Sequence, residues 1–358
     1  MRDIDRILKA CVDRGASDIH LTVNKPPVLR IDGCLVSLDE PSLTRADTEA
    51  IMKSITSEEK QHRLAEKGGA EFGLDFTETA RFRVSVYKQK GTVGLALRLI
   101  PSRILSLDEI GLPQGVKELL YKQRGLILVT GPTGCGKTTT LAAMVDFINT
   151  NRDCHIITIE DPIEYCHEHK KSIVTQREIG ADVPDFSDAI VRSLRQDPDV
   201  IFVGEMRDLA TIEAAVRAAE TGHLVLSTLH TVCATNTVDR IIDVFPPHQQ
   251  DQIRIQLASS LLAIIAQRLL PRATGKGRIA VFEFMISTPS IQSYIRDKKT
   301  FRIISDIQTG GEKHGMKTFD TALAEMYHNG AITFDTVMSN AFDPPQLRMK
   351  ILEDSGAK

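Results

Sequence analysis

The sequence has no apolar run long enough to cross a bilayer. Its longest, Leu257 to Ala266, contains Ser259 and Ser260 and falls well short of the roughly 20 residues a membrane-spanning helix needs. Any membrane association is therefore expected to be peripheral. A secretory signal is not visible either, because charges interrupt Arg2 to Lys9. The six cysteines (Cys11, Cys34, Cys135, Cys154, Cys166 and Cys233) include no C-x-x-C pair. That argues against a structural zinc site, and scattered thiols in a large chain suit a reducing cytoplasm. Basic charge is not in excess. A net charge of −3 offers no electrostatic case for nucleic acid. Internal repeats and low-complexity tracts are also missing. What remains is an ordinary soluble composition, 42% hydrophobic and 25% charged, and 358 residues allow two domains.

The most informative stretch is Gly131-Pro-Thr-Gly-Cys-Gly-Lys-Thr138, which matches G-x-x-x-x-G-K-[ST] at every fixed position. An apolar run, Leu126 to Val129, precedes it as a buried strand, and Thr139 to Ile148 follows with helical spacing. Gly131, Gly134 and Gly136 let successive N–H groups turn inward toward an anion, and the helix start adds its positive dipole end. The expected ligand is ATP, bound by Thr133, Gly134, Cys135, Gly136, Lys137, Thr138 and Thr139. Lys137 would reach the β/γ-phosphates, and the Thr138 hydroxyl would ligate Mg²⁺.

Residues 1–100 read as a separate small domain. Ile4 to Val12 has helical spacing, and Ile19, Leu21 and Val23 alternate with polar residues as in a half-buried strand. Asp32-Gly33 is a hairpin signal between Val28–Ile31 and Cys34–Val36. Helix is expected around Arg45–Leu64, then strands over Arg81–Lys88 and Thr92–Ile100 joined at Lys90-Gly91. That turn sets Arg83 directly opposite Arg98. Two like charges so placed repel, so the pair reads either as solvated surface arginines or as a site for an anion supplied by a neighbouring subunit.

Pro101 to Gln114 reads as a linker. From 115 to 358 strands (Leu126–Thr130, Ile156–Ile159, Val200–Val203, Leu224–Ser227) alternate with helices (Phe186–Arg195, Leu209–Ala219). Such alternation implies a mostly parallel sheet with helices on both faces. After Pro246-Pro247, from about 247 to 358, the pattern is largely helical, through Gln252–Leu270, Ser290–Arg296 and Thr318–Tyr327.

Three constellations follow strand ends, where ligand sites of α/β sheets gather. Ile159-Glu-Asp-Pro-Ile-Glu164 closes one strand. Val200-Ile-Phe-Val-Gly-Glu205 ends another in an acid displaced by one position, with Gly204 where Asp is common. Glu164 or Glu205 could hold Mg²⁺ through water or polarise an attacking water. The third, Gly222-His-Leu-Val-Leu-Ser-Thr-Leu-His230, is a strand bracketed by His223 and His230, and a histidine near the γ-phosphate can stabilise developing charge. His167 and His169, beside Lys170-Lys171, read as a solvated basic surface.

As a set, these segments resemble the bacterial secretion ATPases over nearly the whole chain. Gly131–Thr139, Ile157–Glu164, Leu194–Asp199 with Gly204–Asp208, and Thr221–Thr231 are similar to that family's Walker A, Asp box, Walker B and His box. Ala16-Ser-Asp-Ile-His20, Arg81-Phe-Arg-Val84, Gln308-Thr-Gly-Gly and Gly315–Phe319 resemble the type IV pilus retraction branch. The resemblance implies a PAS-like α+β N-terminal domain and a RecA-like P-loop ATPase domain with C-terminal helices, assembled as a homo-hexamer with nucleotide at the domain interface. It implies Glu164 as the catalytic glutamate, Glu205 as the Walker B acid near Mg²⁺, His230 with His223 as its companion near the γ-phosphate, and Arg83 and Arg98 reaching the nucleotide.

The implied function is a motor that hydrolyses ATP to disassemble pili for twitching motility. It would be cytoplasmic, at the inner-membrane pilus base, with a platform protein and a paralogous retraction ATPase as partners. Cys135 replaces the family's usual Ser, and Gln292 replaces an Arg in Pro289–Asp297, so an accessory retraction motor is the alternative. A P-loop phosphotransferase is the competitor from another class, and no acceptor pocket or lid for one is visible.

Overall fold

The protein, here as a computed structural model, is described over residues 4–31, 33–77, 80–100 and 103–356. It divides into two units. One holds the described residues up to Ile104 together with Asp161–Cys166, and the other holds Leu105–Glu160 and the chain from His167 onward.

The first unit is an antiparallel sheet with helices. Its strands are β1 (Asp18–Leu21), β2 (Val28–Ile31), β3 (Cys34–Ser37), β4 (Gly69–Thr77), β5 (Ala80–Gln89) and β6 (Thr92–Ile100), in the order β3-β2-β1-β6-β5-β4. Phe82, Val84 and Val86 of β5 and Leu95 and Leu97 of β6 are fully buried, while Arg81, Arg83 and Ser85 take the other face. The two-residue turn between them has positive φ at both Lys90 (46°) and Gly91 (74°), the twist-matched hairpin geometry. Gln89 therefore pairs with Thr92, and Arg83 stands opposite Arg98. Asp32 of the first hairpin signal lies outside the described residues, as do Pro101 and Ser102 of the expected linker.

Two expectations change here. Helix over 45–64 is really two helices, Arg45–Ile55 and Glu58–Lys67, because Ser57 accepts from the Lys60 N–H and starts a new one. And β4, which the sequence pattern had left unassigned, forms the edge beside β5. Gly69, Gly73 and the polar Glu71, Asp75 and Thr77 blur its alternation, yet Ala70 and Phe72 are buried.

The second unit is a seven-stranded sheet in the order β13-β12-β7-β11-β10-β8-β9. The strands are β7 (Gly125–Thr130), β8 (His155–Glu160), β9 (Ile173–Glu178), β10 (Val200–Val203), β11 (Leu224–Leu229), β12 (Leu261–Pro271) and β13 (Arg278–Ile286). All neighbours are parallel except the β12–β13 edge pair. Every residue of β7, β10 and β11 is buried, as expected where helices cover both faces. Leu105 onward belongs to this unit: Ser106 caps a short helix, Leu107–Ile110, and Leu107 and Leu112 enter its core.

The largest departure is at Gln252–Leu270. Helix Gln250–Ser260 stops, and the following residues form β12 along β7. A continuous apolar run has no period that separates a buried strand from a buried helix, and β-branched Ile264 and Ile265 favour the strand. Beyond β13 the chain is helical, with Phe319, Leu323, Val337 and Ile351 packed with Val281. No described helix is long and apolar enough to cross a membrane.

Candidate active site

The phosphate-binding loop leaves the carboxyl end of β7 and runs into helix Lys137–Asn151. Gly131, Gly134 and Gly136 have φ of 145°, 79° and 92°, values that L side chains rarely adopt. At Gly131 space is as restrictive as angle, since a Cβ there would lie 2.3 Å from the Gln267 carbonyl oxygen and 2.7 Å from Cys135 Sγ. A cradle that only glycine can line lets backbone come close to a ligand. Lys137 Nζ donates to the carbonyls of Gly131 (2.7 Å) and Pro132 (3.1 Å) and lies 3.5 Å from His230 Nδ1. Burial pulls its pKa down.

Strand ends bring two more groups to this place. Glu205 follows β10 and His230 follows β11. The Glu205 carboxylate is 2.8 Å from Arg207 Nε and 3.7 Å from His230 Nε2. Burial, and then the charge of Lys137, hold the His230 pKa below its ordinary value. Lys137 thus stands on the Nδ1 side of the ring, and Nε2 faces Glu205. Gly204 explains why the acid sits one place late. Its N–H donates to Ile159 O at 2.8 Å, and a Cβ there would sit 3.3 Å from that same oxygen. A side chain at 204 would crowd β8, and the acid stands at the next position, Glu205.

Gln267, on β12, had no signal in sequence. It is 3% exposed. Its Nε2 donates to Cys135 O at 2.7 Å, and its Oε1 accepts from Thr140 Oγ1 at 2.8 Å. It thus ties the loop to the first turn of the following helix.

Glu164 lies in the Asp161–Cys166 segment, which clusters with the first unit. There Arg83 Nη1 reaches Glu164 Oε1 at 3.4 Å, and Arg83 Nη2 reaches Glu71 Oε2 at 3.0 Å. Arg98 Nε donates to Asp18 Oδ1 at 2.8 Å. Carboxylates of this same chain thus stand beside both of the facing arginines. Arg81 Nε donates to Ile163 O at 3.0 Å and holds the Glu164 segment by its backbone.

His223 is not brought to His230. It precedes β11, and its Nδ1 donates to Ala218 O at 3.0 Å, while His230 follows the strand, so seven residues at about 3.3 Å each separate them. The spacing that suggested a pair is the length of the strand. His167 also differs from expectation: it is mostly enclosed, its Nδ1 has no hydrogen-bond partner, and burial pushes its pKa down to about 4. His169, although exposed, accepts from the Val174 N–H at 3.1 Å.

A family model described as type II/IV secretion system protein matches residues 1–276. The chain is 43% identical to the type IV pilus retraction ATPase PilT of Pseudomonas aeruginosa over 342 residues, which is 96% of this chain and 99% of that protein. It is 39% identical to the type IV pilus ATPase PilU of the same organism, covering 98% of this chain and 91% of that one. Among solved structures, a crystal structure of the pilus retraction motor PilT with bound ADP matches with a TM-score of 0.90 at 47% identity, over 98% of this chain and 100% of that chain.

Proposed function

This chain belongs to the type II/IV secretion system protein family, and from that premise we propose that it is an ATPase motor of type IV pilus retraction. It acts as a homo-hexamer at the cytoplasmic side of the inner-membrane pilus base, against a platform protein. The observation that carries the activity is the convergence of the glycine-lined loop, Lys137, His230 and Glu205 at the carboxyl ends of β7, β10 and β11. The near full-length similarity to PilT supports the biological setting.

The residues fit a nucleotide. The cradle at Gly131 and Gly136 is one that a Cβ would fill, and helix Lys137–Asn151 begins there with its positive dipole end. Lys137, held by two carbonyls, exchanges them for phosphate oxygens. Thr138 and Glu205 suit Mg²⁺. Among the described residues no three His, Cys, Asp or Glu side chains cluster as a metal site, and Mg²⁺ takes few protein ligands beside phosphate and water.

ATP supplies the phosphoanhydride that water attacks. Glu205 would orient the attacking water, with His230 Nε2 standing 3.7 Å from its carboxylate. Glu164 is the general base, and Arg83 Nη1, 3.4 Å away, orients its carboxylate. Arg83 and Arg98 supply positive charge for the transferring phosphoryl.

The test is a deletion strain complemented with wild type or Glu205→Gln. Many pili without twitching, rescued by wild type alone, is the expected outcome, with purified Glu205→Gln slowed roughly a hundredfold or more. Few pili in the deletion strain, or normal hydrolysis by Glu205→Gln, would defeat the proposal. Normal pili and motility would leave only an accessory role.

A further inference from the structure

We propose that Gln267 is a positioning residue for phosphate binding, acting by aiming a loop peptide rather than by touching nucleotide. The inference rests on the nucleotide reading of the loop.

The argument starts from peptide geometry. In a trans peptide the C=O and the following N–H point in opposite directions. Asp161–Pro162 is the one cis bond among the described residues, so the Cys135–Gly136 peptide is trans. Gln267 Nε2 fixes the Cys135 carbonyl at 2.7 Å on the β12 side. The Gly136 N–H is thereby turned the other way, toward the hollow of the loop. Without that hold the peptide is free to flip at low cost, since glycine at Gly136 places little restriction on its own torsions. A flipped peptide would present a carbonyl oxygen to an anion.

Gln267 is suited to this in three ways. It is buried, so its amide has no water to compete for. Its orientation follows from the Cys135 carbonyl itself, to which only the Nε2 end can donate, while Thr140 Oγ1 donates to Oε1 at 2.8 Å. Its backbone is set as well, because Gln267 pairs with Phe282 of β13 and Ala266 pairs with Thr130 of β7. The close approach is part of the same device. A Cβ at Gly136 would meet Gln267 Nε2 at 3.0 Å, and one at Gly131 would meet the Gln267 carbonyl. Both glycines make room for Gln267 as well as for phosphate. A role in packing alone would require neither the amide nor its orientation.

Three variants separate aiming from packing, each measured by ADP calorimetry, steady-state ATP hydrolysis and ligand-free melting. Gln267→Met keeps the volume and loses the donor. Thr140→Val removes a hydrogen bond of similar burial but leaves the Cys135 carbonyl its donor. Gln267→Glu keeps the shape and regains a donor only when protonated, which burial promotes. The expected result is ADP affinity lower by roughly ten- to a hundredfold in Gln267→Met, the worth of one hydrogen bond to a charged group. Thr140→Val should lose clearly less. The deficit of Gln267→Glu relative to wild type should shrink between pH 8 and pH 6 within one folded protein.

Wild-type ADP affinity in Gln267→Met, an equal loss in Thr140→Val, or a pH-independent deficit in Gln267→Glu would each overturn the inference. A wild-type chain that binds no ADP would sink the nucleotide reading itself, a failure visible before any variant is compared.

Discussion

Replacing Arg83 with alanine should barely change stability and should nearly abolish hydrolysis. The substitution removes two ion pairs, to Glu71 at 3.0 Å and Glu164 at 3.4 Å, among side chains that are 39%, 52% and 27% exposed. Pairs this open to solvent contribute about 0.2–1 kcal/mol each. Against that loss, Arg83 faces Arg98 directly across β5 and β6, and relief of like charges in such a pair returns about 0.2–1 kcal/mol. The two terms nearly offset, leaving about 1 kcal/mol or less, or a shift of about 2–4 °C at most. A catalytic arginine works on another scale: about 10³–10⁵ in rate for a transferring phosphoryl group, equivalent to roughly 4–7 kcal/mol of barrier. Scanning calorimetry beside single-turnover hydrolysis at saturating ATP separates the two. A double-mutant cycle with Glu164→Gln should show strongly non-additive rates, because Arg83 orients the same carboxylate that is removed. Melting lowered by more than about 8 °C, with turnover per folded molecule within threefold of wild type, would refute the reasoning and make Arg83 a strut.

Gly131→Ala should cost about 3 kcal/mol or more in chemical denaturation, because φ of 145° is open essentially to glycine alone and the new Cβ would lie 2.3 Å from a backbone oxygen. Gly134→Ala, at φ 79° with open space around it, should cost only about 1–2 kcal/mol, and equal losses would contradict the cradle geometry. Acidification should destabilise the protein through His167. Its folded pKa of about 4 lies below the ordinary 6.5, so the unfolded chain takes up the proton first. Stability is therefore full above pH 6.5 and lost as pH falls toward 4, by up to about 3 kcal/mol before solvent screening. His167→Gln should flatten that slope in pH-dependent unfolding, and an unchanged slope would exclude His167 as its source.

The elements legible in the sequence were those whose partners are close along the chain. Lys90-Gly91 sets the register of β5 on β6, so Arg83 opposite Arg98 followed from counting. The phosphate loop was legible because its fixed residues are contiguous and its flanks differ in period. Glu205 and His230 could be placed because parallel strands bring their carboxyl ends to one edge. What escaped depends on distant partners. β12 pairs with a strand more than a hundred positions earlier, and its apolar run looks alike as helix or strand. Gln267 looks like any polar residue in that run until the Cys135 carbonyl is seen beside it. The carboxylates facing the arginines were hidden similarly, since Glu71 sits on the unassigned β4 and Asp18 on β1, each brought in only by the sheet order.

That sheet order also bears on how the protein is made. Gln267 follows Cys135 by 132 positions, and β12 is the immediate neighbour of β7. At synthesis rates of about 5–20 residues per second, the loop leaves the ribosome on the order of ten seconds before the strand that must close against it. During that interval β7 has an open edge where β12 belongs, and the glycines of the loop lack the carbonyl and amide that confine them. A nascent chain halted short of β12 would carry every residue of the nucleotide motif and still lack the finished site.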